Sequence, residues 1–362
     1  MKVTLDKTVL SAALARCAPA ARVVGRDGGF VRLAVYARSL TVAGYDGDLF
    51  ISVCIEDVDG EEGTCLWPSR LGAHVLGALG SGSVTVAALQ GGVALEGGSA
   101  YLELATPPED AFLPFPLITG VPQEVEASAF CDALGQVVYA ASTDLARPLL
   151  TGVLLQAAED GVRLVATDSY RLVVRDVPGV SLAFSEGIVL PARALSAAVQ
   201  AYGTSDGVLT ICCSDDLVSF VANGTVVATR LINGQYPDYA RLLPSAGETV
   251  LVADVEPAVE ALRRMELMRG SGTGPTVLEI DGAGVQLSTR ALERGAARER
   301  LDGKLEGKAL TVGCNPAFLA DAIQHTDTEQ FALSCIDASK PIKVTGMHDD
   351  RYLALVMPVR MD

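Results

Sequence analysis

Histidine and tryptophan are almost missing from this 362-residue chain, which has three histidines and one tryptophan. His74, His325 and His348 stand far apart, and none belongs to a His-Glu-x-x-His or Cys/His cluster, so no metal site is expected. Basic residues are scarce as well, 28 Lys and Arg against 44 Asp and Glu, for a formal charge of −16. That balance excludes a protein that coats nucleic acid with its whole surface, because neutralising phosphates needs a broad Lys/Arg footprint; a local basic stripe stays compatible with it. Apolar residues reach 49%, yet no uninterrupted run of about 18 occurs, so no membrane partner is expected. The opening Met1-Lys2-Val3-Thr4-Leu5-Asp6 carries no secretory pattern, and a cytoplasmic location is expected. No phosphate loop of the Gly-x-x-x-x-Gly-Lys-Ser/Thr type is present. Gly270-Ser271-Gly272-Thr273-Gly274 lacks the Lys and the helix of a nucleotide cradle and reads as a loop, so no cofactor is expected.

Eight cysteines are present without Cys-x-x-Cys spacing, mostly inside apolar runs, which predicts reduced thiols in the core. At roughly 100 to 200 residues per domain the chain makes two or three domains. Internal similarity supports three. Each third opens with a strand-like run and an amphipathic helix: Val3 to Ala18, Val125 to Ala141, Val250 to Arg269. Val9, Leu10 and Leu14, then Phe130, Leu134 and Val138, then Val259 and Leu262, recur at the three-to-four spacing of one helical face. A strand, turn, strand pattern follows at Leu40 to Asp46, Arg163 to Tyr170 and Val285 to Arg290. A second helix is introduced each time by a proline, Pro68, Pro191 and Pro316, spaced 123 and 125 residues apart. Proline suits a first helical turn because its missing N–H would be unpaired there. The expected boundaries are 1–122, 123–246 and 247–362, with linkers at Leu117 to Pro122 and Leu243 to Gly247. The expected fold class is α+β, each unit two helices packed on antiparallel sheet.

Four runs carry a resemblance: Leu149-Leu150-Thr151-Gly152-Val153, Val165-Ala166-Thr167-Asp168-Ser169-Tyr170-Arg171-Leu172, Asn233-Gly234-Gln235-Tyr236-Pro237-Asp238-Tyr239, and Val356-Met357-Pro358-Val359-Arg360. Each is common alone; in this order, with the length and the triple repeat, the whole chain resembles the bacterial DNA sliding clamps, the β subunits of DNA polymerase III. The resemblance implies the DNA clamp fold and a head-to-tail homodimer closing into a six-domain ring around duplex DNA. It also implies a processivity factor rather than an enzyme. A ring is held topologically, so weak, sequence-independent phosphate contacts suffice, and tight ones would brake sliding.

By the same resemblance, Arg22, Arg70, Arg147 and Arg193 match basic positions facing DNA, while Ala317 stands where Arg70 and Arg193 do in the other repeats. A peptide pocket between the second and third domains is implied at Leu150, Thr167, Tyr170, Arg171, Leu172, Pro237, Arg241, Leu242, Asn315, Phe318, Met357, Pro358, Val359, Arg360 and Met361. Leu, Phe and Val there make an apolar cleft, and Met an adaptable lining. The implied partners are the polymerase III α subunit, the clamp loader and other proteins with a clamp-binding motif. Leu102 and Leu104 on one side and Leu267 and Met268 on the other are the expected dimer contacts. Loading onto DNA calls for a separate ATPase, since the chain has no ATP motif.

Some features depart from the family. Arg26-Asp27-Gly28-Gly29-Phe30 replaces a Pro-containing stretch, Ser169 stands where Gly or a basic or aromatic residue is usual, and Asp362 extends the ending. These leave open a specialised paralogous clamp, and a scaffold with the same repeats that encircles nothing is a further alternative. A hydrolase would draw on Asp46 with Asp48 or Asp168 with Ser169, but each pair lies at a predicted turn, where Asp and Ser bond to local backbone.

Overall fold

The computed structural model describes residues 1–23, 29–115, 120–180, 187–214, 216–244, 248–270 and 274–361, and of residues 22 and 23 only the backbone. Most of the Arg26 to Phe30 stretch, half of the Leu117 to Pro122 linker, most of the Leu243 to Gly247 linker, the centre of the 270–274 loop and Asp362 therefore lie outside the described residues.

Six α-helices occur among the described residues, two in each third: α1 (Lys7–Cys17), α2 (Ser69–Ala78), α3 (Ala127–Val138), α4 (Ala192–Tyr202), α5 (Val255–Arg269) and α6 (Pro316–Gln324). Local chemistry starts them. Asp6 caps α1 by accepting from Thr8 N at 2.7 Å, and Asn315 caps α6 by accepting from Ala317 N at 3.0 Å, with Pro316 in the first turn. The buried stripe of α1 is Leu10, Ala13, Leu14 and Cys17, and Val9, expected on that face, is 43% exposed. On α3, Val137 rather than Val138 is fully buried beside Phe130 and Leu134. The other predicted members of each stripe, Leu10 and Leu14 in α1 and Phe130 and Leu134 in α3, are buried as expected, so only the edge of each face differs. No helix among the described residues is long and apolar enough to cross a membrane. Five cysteines are buried as expected, whereas Cys54, Cys212 and Cys213 are half-buried.

The architecture is α+β. Contacts divide the chain into two units, residues 1–131 with 193–231, and residues 132–192 with 232–362. All sheets are antiparallel. In the first unit one sheet runs Ala100–Ala105, Gly92–Gly97, Ser83–Leu89, Lys2–Asp6, Asp59–Glu61. A larger sheet joins strands of the first and middle thirds, since Thr225–Arg230 pairs with Leu49–Ile55 from Thr225 opposite Val53 to Thr229 opposite Leu49. In the second unit, Arg171–Pro178 of the middle third pairs with Asp349–Val356, Arg171 opposite Val356. A four-stranded sheet runs Gly295–Leu301, Gly284–Ala291, Thr276–Asp281, Leu310–Cys314, and α5 packs on the first two of these strands and on α6. The core of the second unit gathers Leu154, Val165, Leu172, Val174, Val189, Tyr239 and Leu355, all under a tenth exposed. Each such aliphatic side chain contributes about 1.5–3 kcal/mol by leaving water.

Candidate functional site

The site grows from the turn between strands Gly161–Thr167 and Arg171–Pro178 of the second unit. Asp168 Oδ1 accepts from Tyr170 N at 2.8 Å and Arg171 N at 2.9 Å, the local bonding that makes aspartate a turn former. The Thr167 hydroxyl donates to Arg171 O at 2.6 Å and accepts from Ser169 N at 3.2 Å. Ser169 takes φ +79°, a left-handed conformation that costs a side chain with a Cβ. Asp168 and Ser169 are thus occupied in shaping the turn.

This geometry aims the Arg171 side chain at α6. Its Nη1 donates to Asp321 Oδ2 at 2.6 Å, its Nε to Asp168 Oδ2 at 3.1 Å, and its Nη2 to the Tyr139 carbonyl at 2.8 Å. The guanidinium lies 4.5 Å from the centre of the Phe318 ring and 5.1 Å from that of Tyr139. The Tyr139 hydroxyl meets the Tyr352 hydroxyl at 2.9 Å, and the latter donates to Ala322 O. Burial pushes both tyrosine hydroxyls well above their usual range, so they stay neutral. The Tyr139 ring also stacks on His325 at 4.2 Å. The turn is therefore fastened to α6 by ion pairs, ring faces and backbone together.

Beside the turn lies a cavity of about 490 Å³. Leu172 and Leu355 are buried at it and belong also to the core, and Leu242, Leu243, Ile336, Pro244 and Pro341 add apolar wall. Thr167, Arg171, Arg241, Lys340 and Met357 complete the lining together with Ser169 and Ser339, and no carboxylate lines it. The chain after Val356 runs past this opening, tied by Met357 N to Tyr170 O and by Val359 N to Gly313 O, each at 2.8 Å. Glycine is required at 313, because a Cβ there would stand 2.5 Å from the Val359 carbonyl oxygen.

Of the residues predicted for a pocket, Thr167, Arg171, Leu172, Arg241, Leu242 and Met357 line this cavity. Tyr170 and Phe318 stand beside it as a ring pair with centres 6.5 Å apart. Asn315 is spent on capping α6. Leu150 is buried in a 3-10 turn whose carbonyl accepts from Ser142 N. Pro237 and Arg360 are exposed, and Pro358 and Val359 half-buried. Met361 lines a different cavity, with Pro275, Val277, Ser288, Arg290 and Arg298. Leu355, Ile336, Ser339, Lys340 and Pro341 were not predicted. Leu355 could have been, since it stands two residues before Met357, the spacing that puts side chains of an extended chain on one side; the 336–341 stretch gives no such signal.

Among the expected DNA contacts, the Arg22 side chain lies outside the described residues. Arg70 is exposed on the first turn of α2 without a polar partner among the described residues. Arg147 binds Asp144 at 3.0 Å and Ser169 Oγ at 3.0 Å. Arg193 forks onto Asp46 at 2.7 and 3.2 Å, with Asp48 3.9 Å away. Partial burial would raise the Asp46 carboxyl, but Arg193 and the backbone N–H groups of Leu49 and Asp48 outweigh it and hold the group below its usual range. Asp46 and Asp48 form a turn and a salt bridge, which is a poor basis for hydrolysis. Of the expected dimer contacts, Leu102 and Met268 are half-buried, Leu104 is buried, and Leu267 is 70% exposed.

Two family models match the chain: the central domain of the DNA polymerase III beta subunit over residues 124–238, and its C-terminal domain over residues 240–360. The β sliding clamp of Streptomyces coelicolor is 29% identical over the full length of both chains. The β sliding clamp homolog GriR of Streptomyces muensis is 28% identical over 89% of this chain and 88% of its own. Among solved structures, the sliding clamp of Bacillus subtilis superposes with a TM-score of 0.86 at 22% identity, covering both chains fully. A Bartonella birtlesii sliding clamp bound to griselimycin does so with a TM-score of 0.89, also at 22% identity and full coverage.

Proposed function

Because the chain belongs to the β-subunit family of bacterial DNA polymerase III, the sliding clamps, which are non-catalytic processivity factors, we propose that two copies close head to tail around duplex DNA and tether a polymerase to it. Residues 1–122, 123–246 and 247–362 are the three domains that each copy brings to the ring. Arg22, Arg70, Arg147 and Arg193 supply sparse phosphate contacts. The pairing of Arg147 and Arg193 with aspartates suits a ring that has to slide, since each counter-ion weakens a phosphate contact. Leu102, Leu104, Leu267 and Met268 lie at the joints between copies.

The observation that carries this reading is the apolar cavity beside Met357, floored by Leu172 and Leu355 and bordered by a segment held through its backbone. An extended apolar peptide fits such a cleft, its side chains in the cavity and its polar groups on the rim. Its source is the tail of the polymerase α subunit, the clamp loader or another protein with a clamp-binding motif.

The test is fluorescence polarisation of a labelled Gln/Leu/Phe-rich clamp-binding peptide against the intact chain and a chain ending at Val356. Saturable binding lost on truncation supports the cleft, and no binding to the intact chain overturns it. Encirclement is tested separately: retention on closed circular DNA, released by linearising the circle, is expected, and retention indifferent to linearisation sinks the ring.

A further inference from the structure

The chain holds three asparagines, and the residue after each decides what its side chain can undergo. Asn315 precedes Pro316, whose nitrogen carries no proton, and its Oδ1 is spent on the cap of α6. Asn223 and Asn233 each precede glycine, the residue that leaves most room around its own backbone nitrogen. The two Asn-Gly pairs sit in contrasting surroundings. Asn223 and Gly224 form the two-residue turn between strands Leu217–Ala222 and Thr225–Arg230, closed by Ala222 opposite Thr225, with φ +47° and +69°. Gly224 O also accepts from Cys54 N at 2.8 Å, so the turn is held from a third strand. Asn233, Gly234 and Gln235 instead form an exposed arch outside any helix or strand. Neither Gly234 N nor Gln235 N has a hydrogen-bond partner among the described residues. Both feet of the arch are fixed: Ile232 N donates to Val189 O at 2.9 Å, and Tyr236 packs with Ile232 and Leu149 on the core of the second unit. Gly234 itself takes φ +135°.

We propose that Asn233 is a self-modification site. The Gly234 backbone nitrogen attacks Asn233 Cγ; the new N–Cγ bond closes a succinimide, and the side-chain nitrogen leaves as ammonia, taking up the glycine proton. Water then opens the ring at either carbonyl, giving aspartate or, by the other cleavage, isoaspartate, whose main chain runs through the side-chain carbon. Solvent water is the only co-reactant. The rate depends on how readily the nitrogen reaches Cγ, a near-attack geometry open to the unbonded arch and closed to a hairpin turn pinned on both sides. Isoaspartate lengthens the main chain by one carbon between the anchors at Ile232 and Tyr236, and the same segment leads into Arg241 and Leu242 of the cleft. Resting on the peptide-cleft reading above, ageing at Asn233 therefore weakens peptide capture.

The experiment is peptide mapping by mass spectrometry of the full chain held in warm, mildly alkaline buffer, folded and in denaturant. In the folded chain the peptide with Asn233 is expected to exchange NH2 for OH at least about tenfold faster than the peptide with Asn223, and in denaturant the two are expected to convert at similar rates. Asn315 is expected to stay intact in both. An isoaspartyl carboxyl methyltransferase with a labelled methyl donor should mark the aged Asn233 peptide, and Asn233→Gln, which keeps an amide on a chain too long to close the same ring, should abolish that mark. Asn223 converting as fast as Asn233 in the folded chain, or Asn233 unchanged over the time in which the denatured chain converts, overturns the proposal. Binding of the labelled Gln/Leu/Phe-rich peptide should fall in step with isoaspartate content in the wild type and persist in equally aged Asn233→Gln. Aged wild type that binds like fresh overturns the link to the cleft. Fresh wild type that binds no peptide overturns the cleft reading instead, and the mass map still decides the modification.

Discussion

Arg171 Nη1 stands 2.6 Å from Asp321 Oδ2, joining a strand turn to a helix 150 residues further along the chain. The pair is only one of five holds on the same guanidinium, beside Asp168, the Tyr139 carbonyl and the Phe318 and Tyr139 ring faces. The wall of the cleft is therefore set from two distant segments at once, and its shape depends on a fork that lysine cannot reproduce.

Arg171→Lys is expected to lower stability by about 1–3 kcal/mol, since the Tyr139 carbonyl and one carboxylate lose charge-assisted bonds. Asp321→Asn, at a more exposed partner, is expected to cost about 1 kcal/mol or less. Urea midpoints of the intact chain measure both. Peptide affinity should fall about tenfold in Arg171→Lys, and unchanged affinity would show that the hold does not shape the cleft.

At Gly313 the expected effect is local. Gly313→Ala puts a Cβ against the Val359 carbonyl, so residues 357–361 must leave their path. Limited proteolysis should then trim the end of the chain faster, with peptide binding weakened. Equal trimming rates in variant and wild type would refute the clash.

Ser169→Gly should stabilise the chain by about 0.5–1 kcal/mol, because glycine takes φ +79° without the steric cost that serine bears. The change also removes the exposed hydrogen bond from Arg147. A lower urea midpoint in the variant would mean that this bond outweighs the strain.

Asp46 predicts the acid side of the stability curve. Its carboxyl is held below the usual range in the folded chain, so its stabilisation is complete above the unfolded value, about pH 4, and is lost as pH falls through the lowered folded value. Asp46→Asn keeps the oxygen that accepts from Asp48 N and Leu49 N but should flatten this limb in acid titrations followed by circular dichroism. The same substitution releases Arg193, and the salt dependence of DNA binding should steepen by about 0.9 in log–log slope for one more phosphate contact.

What the sequence disclosed was local or periodic. The turn at Asp168 is legible because aspartate bonds to the next backbone N–H groups, and the start of α6 because Pro316 suits a first helical turn. The threefold repeat exposed the helix pairs. What stayed hidden was non-local: that Thr225–Arg230 pairs with Leu49–Ile55 in one sheet, and that Ile336, Ser339, Lys340 and Pro341 line the same cleft as Leu242. Alternation says which face of a strand is buried and nothing about its neighbour. Nor does a stripe of apolar residues fix how wide the buried face is, which is why Val9 and Val138 fall at its edge while Leu10, Leu14, Phe130 and Leu134 are buried.

Strand Asp349–Val356 lies inside its sheet, between Arg171–Pro178 and Ile342–Gly346. During synthesis the edge of Arg171–Pro178 must wait, uncovered, while the intervening residues are made, roughly ten to thirty seconds at the pace of a bacterial ribosome. Arg171, Arg175 and Asp176 punctuate that waiting strand with charge, the means by which exposed edges avoid joining the wrong neighbour. Arg171 and Arg175 later receive Asp321 and Asp349 as counter-ions. The arginines that hold ion pairs in the finished fold are thus also the guards of the nascent chain.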